Sequence, residues 1–147
     1  LPLVKFNIEI KSKPEWDNGY TPSVHSFAKI VVDFIHRQKH PAMFCVQSFD
    51  ARALEEVHTL DSTIATAWLF ALPNGWKLGF KALSFRPTIM SPNYLVTRKA
   101  NVLQAHRLGI SVIPWTVNEE KEMKRLIALK VDGMITDYPD VLKALLK

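Results

Sequence analysis

A single cysteine, Cys45, stands in a chain of 147 residues. That excludes an internal disulfide and any zinc site built on several cysteines. Cys45 lies in the apolar run 42–49 and reads as an inert buried thiol, which fits a reducing compartment and an oxidising one alike. No apolar run approaches the ~20 residues needed to span a bilayer, so no transmembrane segment is expected. Blocks of like charge are missing too. The net charge is +5, from 19 Lys and Arg against 14 Asp and Glu, but the excess is diffuse. Lys121, Lys124, Arg125 and Lys130 are interleaved with Glu119, Glu120 and Glu122, a mixture that describes solvated helix faces rather than a nucleic-acid surface. The first residue is Leu1 rather than Met and a strand follows almost at once, which leads us to expect a segment of a longer chain.

What is present is an ordinary globular balance, 48% hydrophobic and 22% charged. A domain of this length buries roughly 68–70% of the surface its unfolded chain exposes, enough for a real core. Residues 6–11 alternate: Phe6, Ile8 and Ile10 are apolar, while Asn7, Glu9 and Lys11 are polar. That is the two-residue period of a strand. After a Pro-, Asp-, Asn- and Gly-bearing loop over 12–20, Thr21-Pro22 opens a helix with proline in its first turn. Val24, Phe27, Ile30, Val31, Phe34 and Ile35 then form its apolar stripe. Residues 42–49 read as a second strand, and Asp50 is placed to cap a helix over 51–60.

Further on, 64–72 is a third apolar run stopped by Pro73-Asn74-Gly75, and 80–85 a fourth closed by Arg86-Pro87. Residues 95–108 read as a helix ended by Gly109, and 110–117 as a strand. Asn118 is expected to cap a helix over 119–130. Residues 131–136 form the last strand, and Pro139 opens a closing helix through Leu146. Strand–helix units repeated about six times, with continuously hydrophobic strands, predict an α/β fold with a parallel sheet covered by helices. Six units fit a doubly wound sheet or most of an eight-stranded barrel, and the incomplete (β/α)8 barrel is the favoured reading. Ser-Phe-Asp at 48–50, Trp-Thr-Val-Asn at 115–118 and Thr-Asp-Tyr-Pro at 136–139 put polar residues just past strand C-termini, the edge where such folds bind ligands.

In a parallel sheet Ile8 and Ile10 pack under helices, leaving Asn7, Glu9 and Lys11 on the interior face. A carboxylate there needs a cation, a metal or water, and an oxygen ligand such as Glu9 suits hard Mg²⁺ or Ca²⁺. Lys11 could hold a phosphate oxygen. The competing reading is a solvent-facing Glu9–Lys11 pair on an edge strand.

Four motifs in order, Asn7-Ile8-Glu9-Ile10-Lys11, Val46-Gln47-Ser48-Phe49-Asp50, Trp115-Thr116-Val117-Asn118 and Gly133-Met134-Ile135-Thr136-Asp137-Tyr138-Pro139, resemble the glycerophosphodiester phosphodiesterase family. So does the helix end His106-Arg107-Leu108-Gly109. The resemblance implies a TIM barrel that hydrolyses glycerophosphodiesters to an alcohol and glycerol 3-phosphate with a divalent metal, Mg²⁺ or Ca²⁺. It implies Glu9 as metal ligand, Lys11 as phosphate contact and Trp115 as an aromatic lining the glycerol site, against a core Trp between strand and helix. Ser48 and Asp50 could line the site, although Asp50 as helix cap and Asp137 as a structural residue are preferred. The family's first two strands carry a His-Arg-Gly motif, two acidic metal ligands and a second His, and nothing here matches them. His25, His36, His40, His58 and His106 fall on or just after helices and read as surface or packing residues. Residues 1–147 thus resemble strands three to eight of the barrel, inactive by themselves. The alternatives are a non-enzymatic partial barrel that assembles through its open edges, as a homo-oligomer for example, and another phosphate-handling barrel phosphodiesterase such as a sphingomyelin-cleaving relative.

Overall fold

The computed structural model describes residues 4–147. Along the chain lie β1 (Phe6–Glu9), α1 (Val24–His36), β2 (Phe44–Ser48), α2 (Ala51–Leu60), β3 (Ala65–Phe70), α3 (Gly75–Ala82), β4 (Ile89–Pro92), α4 (Lys99–Arg107), β5 (Ser111–Val112), α5 (Glu120–Ala128) and α6 (Pro139–Leu145). The strands run in the order β1-β2-β3-β4-β5. Phe6 faces Phe44, Cys45 faces Ala65 and Ile89 faces Ser111, each in parallel register. Helices between parallel neighbours give the expected α/β pattern. Residues divide into two compact units. The first holds the described part of Leu1–Trp68 with Gly79–Pro87, the second Leu69–Leu78 with Thr88–Lys147.

In the first unit α1 and α2 pack together through Ala28, Val31, Val32 and Ile35 on one side and Ala53, Leu54 and Val57 on the other, all buried. Ser23, not Pro22, caps α1: its hydroxyl accepts from the Ser26 amide at 3.2 Å. Proline therefore sits one residue outside the helix rather than in its first turn. The apolar stripe is also narrower than the spacing predicts, because Ile30 and Phe34 are 57% and 43% exposed. Asp50 caps α2 as expected, accepting from the Arg52 amide at 3.0 Å.

The second unit buries Met90, Val102, Ala105, Ile110 and Val112, with Val117, Met123 and Leu126 as a further cluster against α6. The middle of the chain differs from the sequence reading. Residues 80–85 are not a strand. Pro73-Asn74-Gly75 ends one element and starts α3, where the Asn74 carbonyl accepts from the Lys77 and Leu78 amides. Gly75, Trp76, Gly79 and Leu83 are buried here, the last three at helical spacing. The fourth strand is Ile89–Pro92 instead.

Residues 110–117 form a strand only over Ser111–Val112. The run 131–136 is not a regular strand either. It is extended against the segment after β5, with the Asp132 amide on the Val112 carbonyl (2.9 Å), Ile135 on Pro114 (2.9 Å) and Val117 on Ile135 (2.8 Å). Asn118 does not cap α5. Its side chain donates to Asp137 Oδ2 at 2.8 Å and accepts from the Asp137 amide at 3.0 Å, and Glu119 occupies the cap position without a side-chain bond.

Candidate functional site

Two buried neighbours, Ile10 and Ser12, position Glu9 and Lys11. The period of β1 continues past its last residue, so Ile10 and Ser12 are buried while Lys11 and Lys13 are exposed. The Ile10 amide donates to the Gln47 carbonyl at 2.9 Å, and the Ser48 hydroxyl donates to the Ile10 carbonyl at 2.7 Å. Ser12 Oγ donates to Asp50 Oδ2 at 2.9 Å. These bonds zip the end of β1 to the end of β2 and turn Glu9, Lys11 and Lys13 to the other side.

The strand ends open into a cavity of about 460 Å³, lined by consecutive residues 9–14 together with Trp16, Phe49, Asp50 and Ala51. It lies at the C-terminal ends of β1 and β2, the edge where parallel α/β folds place ligands. Lys11 Nζ is 3.9 Å from Glu9 Oε2, the lysine side chain being 74% exposed and the glutamate 26%. So wide and wet a pair contributes little to stability. Both groups are available to a ligand. On the same strand face Asn7 Nδ2 donates to Gln47 Oε1 at 2.7 Å.

The opposite wall is rigid. Arg52 reaches Asp17 at 2.8 Å and Asp50 at 2.7 Å, and these bonds, Asp50 first, hold its guanidinium firmly in the charged form. Asp50 also takes its cap bond and the Ser12 hydroxyl, which leaves it no capacity for a cation. Trp16 is fixed by its own carbonyl, which accepts from the Gly19, Tyr20 and Thr21 amides at 3.1, 3.0 and 3.0 Å. The sequence reading placed Trp16 in a featureless loop and left Phe49 without a role. The one sequence signal was a lone tryptophan in a polar loop directly after a strand.

Ser48 does not reach the cavity. It is fully buried, donates to Ile10 and accepts from the Asp50 amide at 3.0 Å. Trp115 lies in the second unit, past β5, and donates from Nε1 to the Ser91 carbonyl at 2.8 Å. No histidine lines the cavity. His25 pairs with Glu56, His36 with Asp61 and His106 with Asp132, at 2.7, 2.7 and 2.8 Å. His58 stacks on Phe85 at 3.8 Å.

Among the described residues no three His, Cys, Asp or Glu side chains converge as a metal site. A hard cation takes six or more oxygens. One carboxylate at Glu9, with Asp50 consumed by Arg52 and Ser12, does not fit such an ion within this chain.

Parallel strand–helix units with a charged pocket at the strands' C-terminal ends define a protein of the TIM-barrel type, present here as an incomplete barrel. The chain belongs to the glycerophosphoryl diester phosphodiesterase family, whose model matches residues 1–141. It is 30% identical over 108 residues to a glycerophosphodiester phosphodiesterase of Bacillus subtilis, covering 71% of this chain and 37% of that protein. It superposes with a TM-score of 0.81 and 27% identity on a Silicibacter pomeroyi protein assigned to the same phosphodiesterases, covering 97% of this chain and 50% of that one. A phosphodiesterase of Oleispira antarctica, solved with the product sn-glycerol-3-phosphate, shares the fold at TM-score 0.78 and 19% identity, covering 97% and 55%. The chain therefore spans about half the length of these solved relatives and less of the curated one.

Proposed function

We propose that this chain is part of an enzyme that hydrolyses glycerophosphodiesters to an alcohol and glycerol 3-phosphate. The observation that carries the reading is the loose Glu9–Lys11 pair on the wall of a 460 Å³ cavity at the strand C-termini, in a chain of this family. Lys11 supplies a positive charge for a phosphoryl oxygen, which stabilises the charge that develops there as the P–O bond breaks. Trp115 is the proposed contact for the glycerol moiety. Ser48 acts by holding Ile10, and through it the neighbouring Glu9 and Lys11, in place. Mg²⁺ or Ca²⁺ enters the proposal only as an ion that Glu9 shares with ligands outside these 147 residues.

The test is hydrolysis of glycerophosphodiesters by the full-length protein and by its Glu9→Gln variant. Release of glycerol 3-phosphate is expected to fall roughly a hundredfold or more in the variant, and unchanged release removes Glu9 from the site. A second reading has one observation in its favour. β1 has β2 as its only partner strand among the described residues, and its first residue, Phe6, is 51% exposed. An open edge of this kind can pair with another chain. A stable dimer of the full-length protein with no hydrolysis of any glycerophosphodiester supports that assembly role instead.

A further inference from the structure

Lys13 is a second ammonium in the cavity, and it is set differently from Lys11. Its backbone is extended, at φ −161° and ψ 157°, so it keeps the two-residue register of Glu9 and Lys11 while Ile10 and Ser12 stay buried beneath. Its Nζ stands over the Trp16 ring at 4.5 Å from the centroid. The Trp16 backbone is held by three bonds to its carbonyl, and the adjacent Asp17 by Arg52. The ammonium thus rests on an aromatic face that does not neutralise it. No carboxylate forms an ion pair with Lys13 among the described residues.

The charges around it can be accounted for one by one. Arg52 is shared between Asp50 and Asp17, and Glu9 is the neighbour of Lys11. Lys13 is the cation lining the cavity that has no carboxylate ion-pair partner among the described residues. Lys11 stands beside Glu9 to meet the phosphodiester charge, so the second, prepositioned ammonium is placed to meet a further anion on the ligand. The same geometry disfavours the opposite ligand. A quaternary ammonium is held by an open aromatic face, and Lys13 already stands over one face of Trp16.

We infer that Lys13 and Trp16 form a second anion subsite, which selects glycerophosphodiesters whose alcohol bears a further acidic group over those with a cationic alcohol. The inference rests on the proposed hydrolase activity and adds the chemistry of the alcohol. Opposite charges across a wet pocket wall act mainly on selectivity.

The experiment measures kcat/KM of the full-length protein for glycerophosphoinositol 4-phosphate, glycerophosphoinositol and glycerophosphocholine. The first two differ only in the extra phosphate. A preference of roughly tenfold for the phosphorylated substrate over glycerophosphoinositol is expected, with glycerophosphocholine poorest. Lys13→Gln brings the ratio of the first two close to one, and Lys13→Arg keeps it. Hydrolysis of all three without that preference, or with one that survives Lys13→Gln, overturns the subsite alone. Hydrolysis of none by the unaltered protein overturns the hydrolase reading and the subsite with it.

Discussion

At position 45 burial alone pushes the thiol up to about 12 from an ordinary 9.0, because a thiolate in an apolar setting loses its hydration. At pH 8 the thiolate fraction is then about a thousandfold smaller than for a free cysteine. Cys45 is expected to resist iodoacetamide in the native protein and to react readily in guanidinium; equal rates in the two states would refute the burial argument. The sign for stability follows. The folded state favours the protonated thiol, so stability falls as pH rises through 9 toward 12.

Asp61 shows the opposite case. The Thr63 hydroxyl first and His36 second hold its carboxyl down to about 2. A depressed carboxylate adds stability above its unfolded value near 3.8, and loses it as pH falls toward 2. Asp61→Asn is expected to remove about 1 kcal/mol at pH 6 and only a small part of that at pH 2. Urea midpoints at the two values measure the difference. A loss as large at pH 2 would assign Asp61 a role other than its charge.

On the scale of elements, α4 and α5 end alike but with different residues. After α4 the Gly109 amide donates to the His106 carbonyl and Ile110 to Ala105; after α5 Lys130 donates to Ile127 and Val131 to Leu126. Both ends are six-to-one and five-to-two closures with one left-handed residue, at φ 72° for Gly109 and 61° for Lys130. Glycine adopts that conformation freely and lysine does not. Gly109→Ala is expected to destabilise by about 1 kcal/mol and Lys130→Gly to stabilise by roughly 0.5 kcal/mol. Thermal unfolding of both variants decides it, and shifts of the same sign would contradict the argument.

Elements were legible where local chemistry was unopposed: the alternation in β1, the Asp50 cap, the glycine after α4. They were not where a tertiary partner decided. Asn118 looks like a cap, but Asp137, nineteen residues away, takes both ends of its amide. Residues 80–85 look apolar enough for a strand, yet Trp76, Gly79 and Leu83 bury at helical spacing. Ile89–Pro92 is short and ends in Ser-Pro, which hides a strand. The site divides in the same way. Glu9 and Lys11 follow from a two-residue period, whereas Trp16 joins the wall through a local turn and an Asp17 held by Arg52 from thirty-five residues away.

For the molecule as a whole, the pocket contains two carboxylates, one of them, Asp50, already taken by Arg52 and Ser12, and no histidine. The isolated 147 residues are therefore expected to release no glycerol 3-phosphate from glycerophosphodiesters with Mg²⁺ or Ca²⁺ present. Colorimetric detection of glycerol 3-phosphate suffices, and measurable turnover by the pure chain would show that the groups needed are all within it.

The strand order β1-β2-β3-β4-β5 repeats the order of synthesis. Paired strand residues such as Phe6 and Phe44, or Cys45 and Ala65, are never more than about forty positions apart. Each new strand thus finds its neighbour already made, and closing each loop restrains a short length of chain. Folding can advance from one end as the polypeptide emerges, one strand and helix at a time, with a growing edge that stays open only until the next strand arrives.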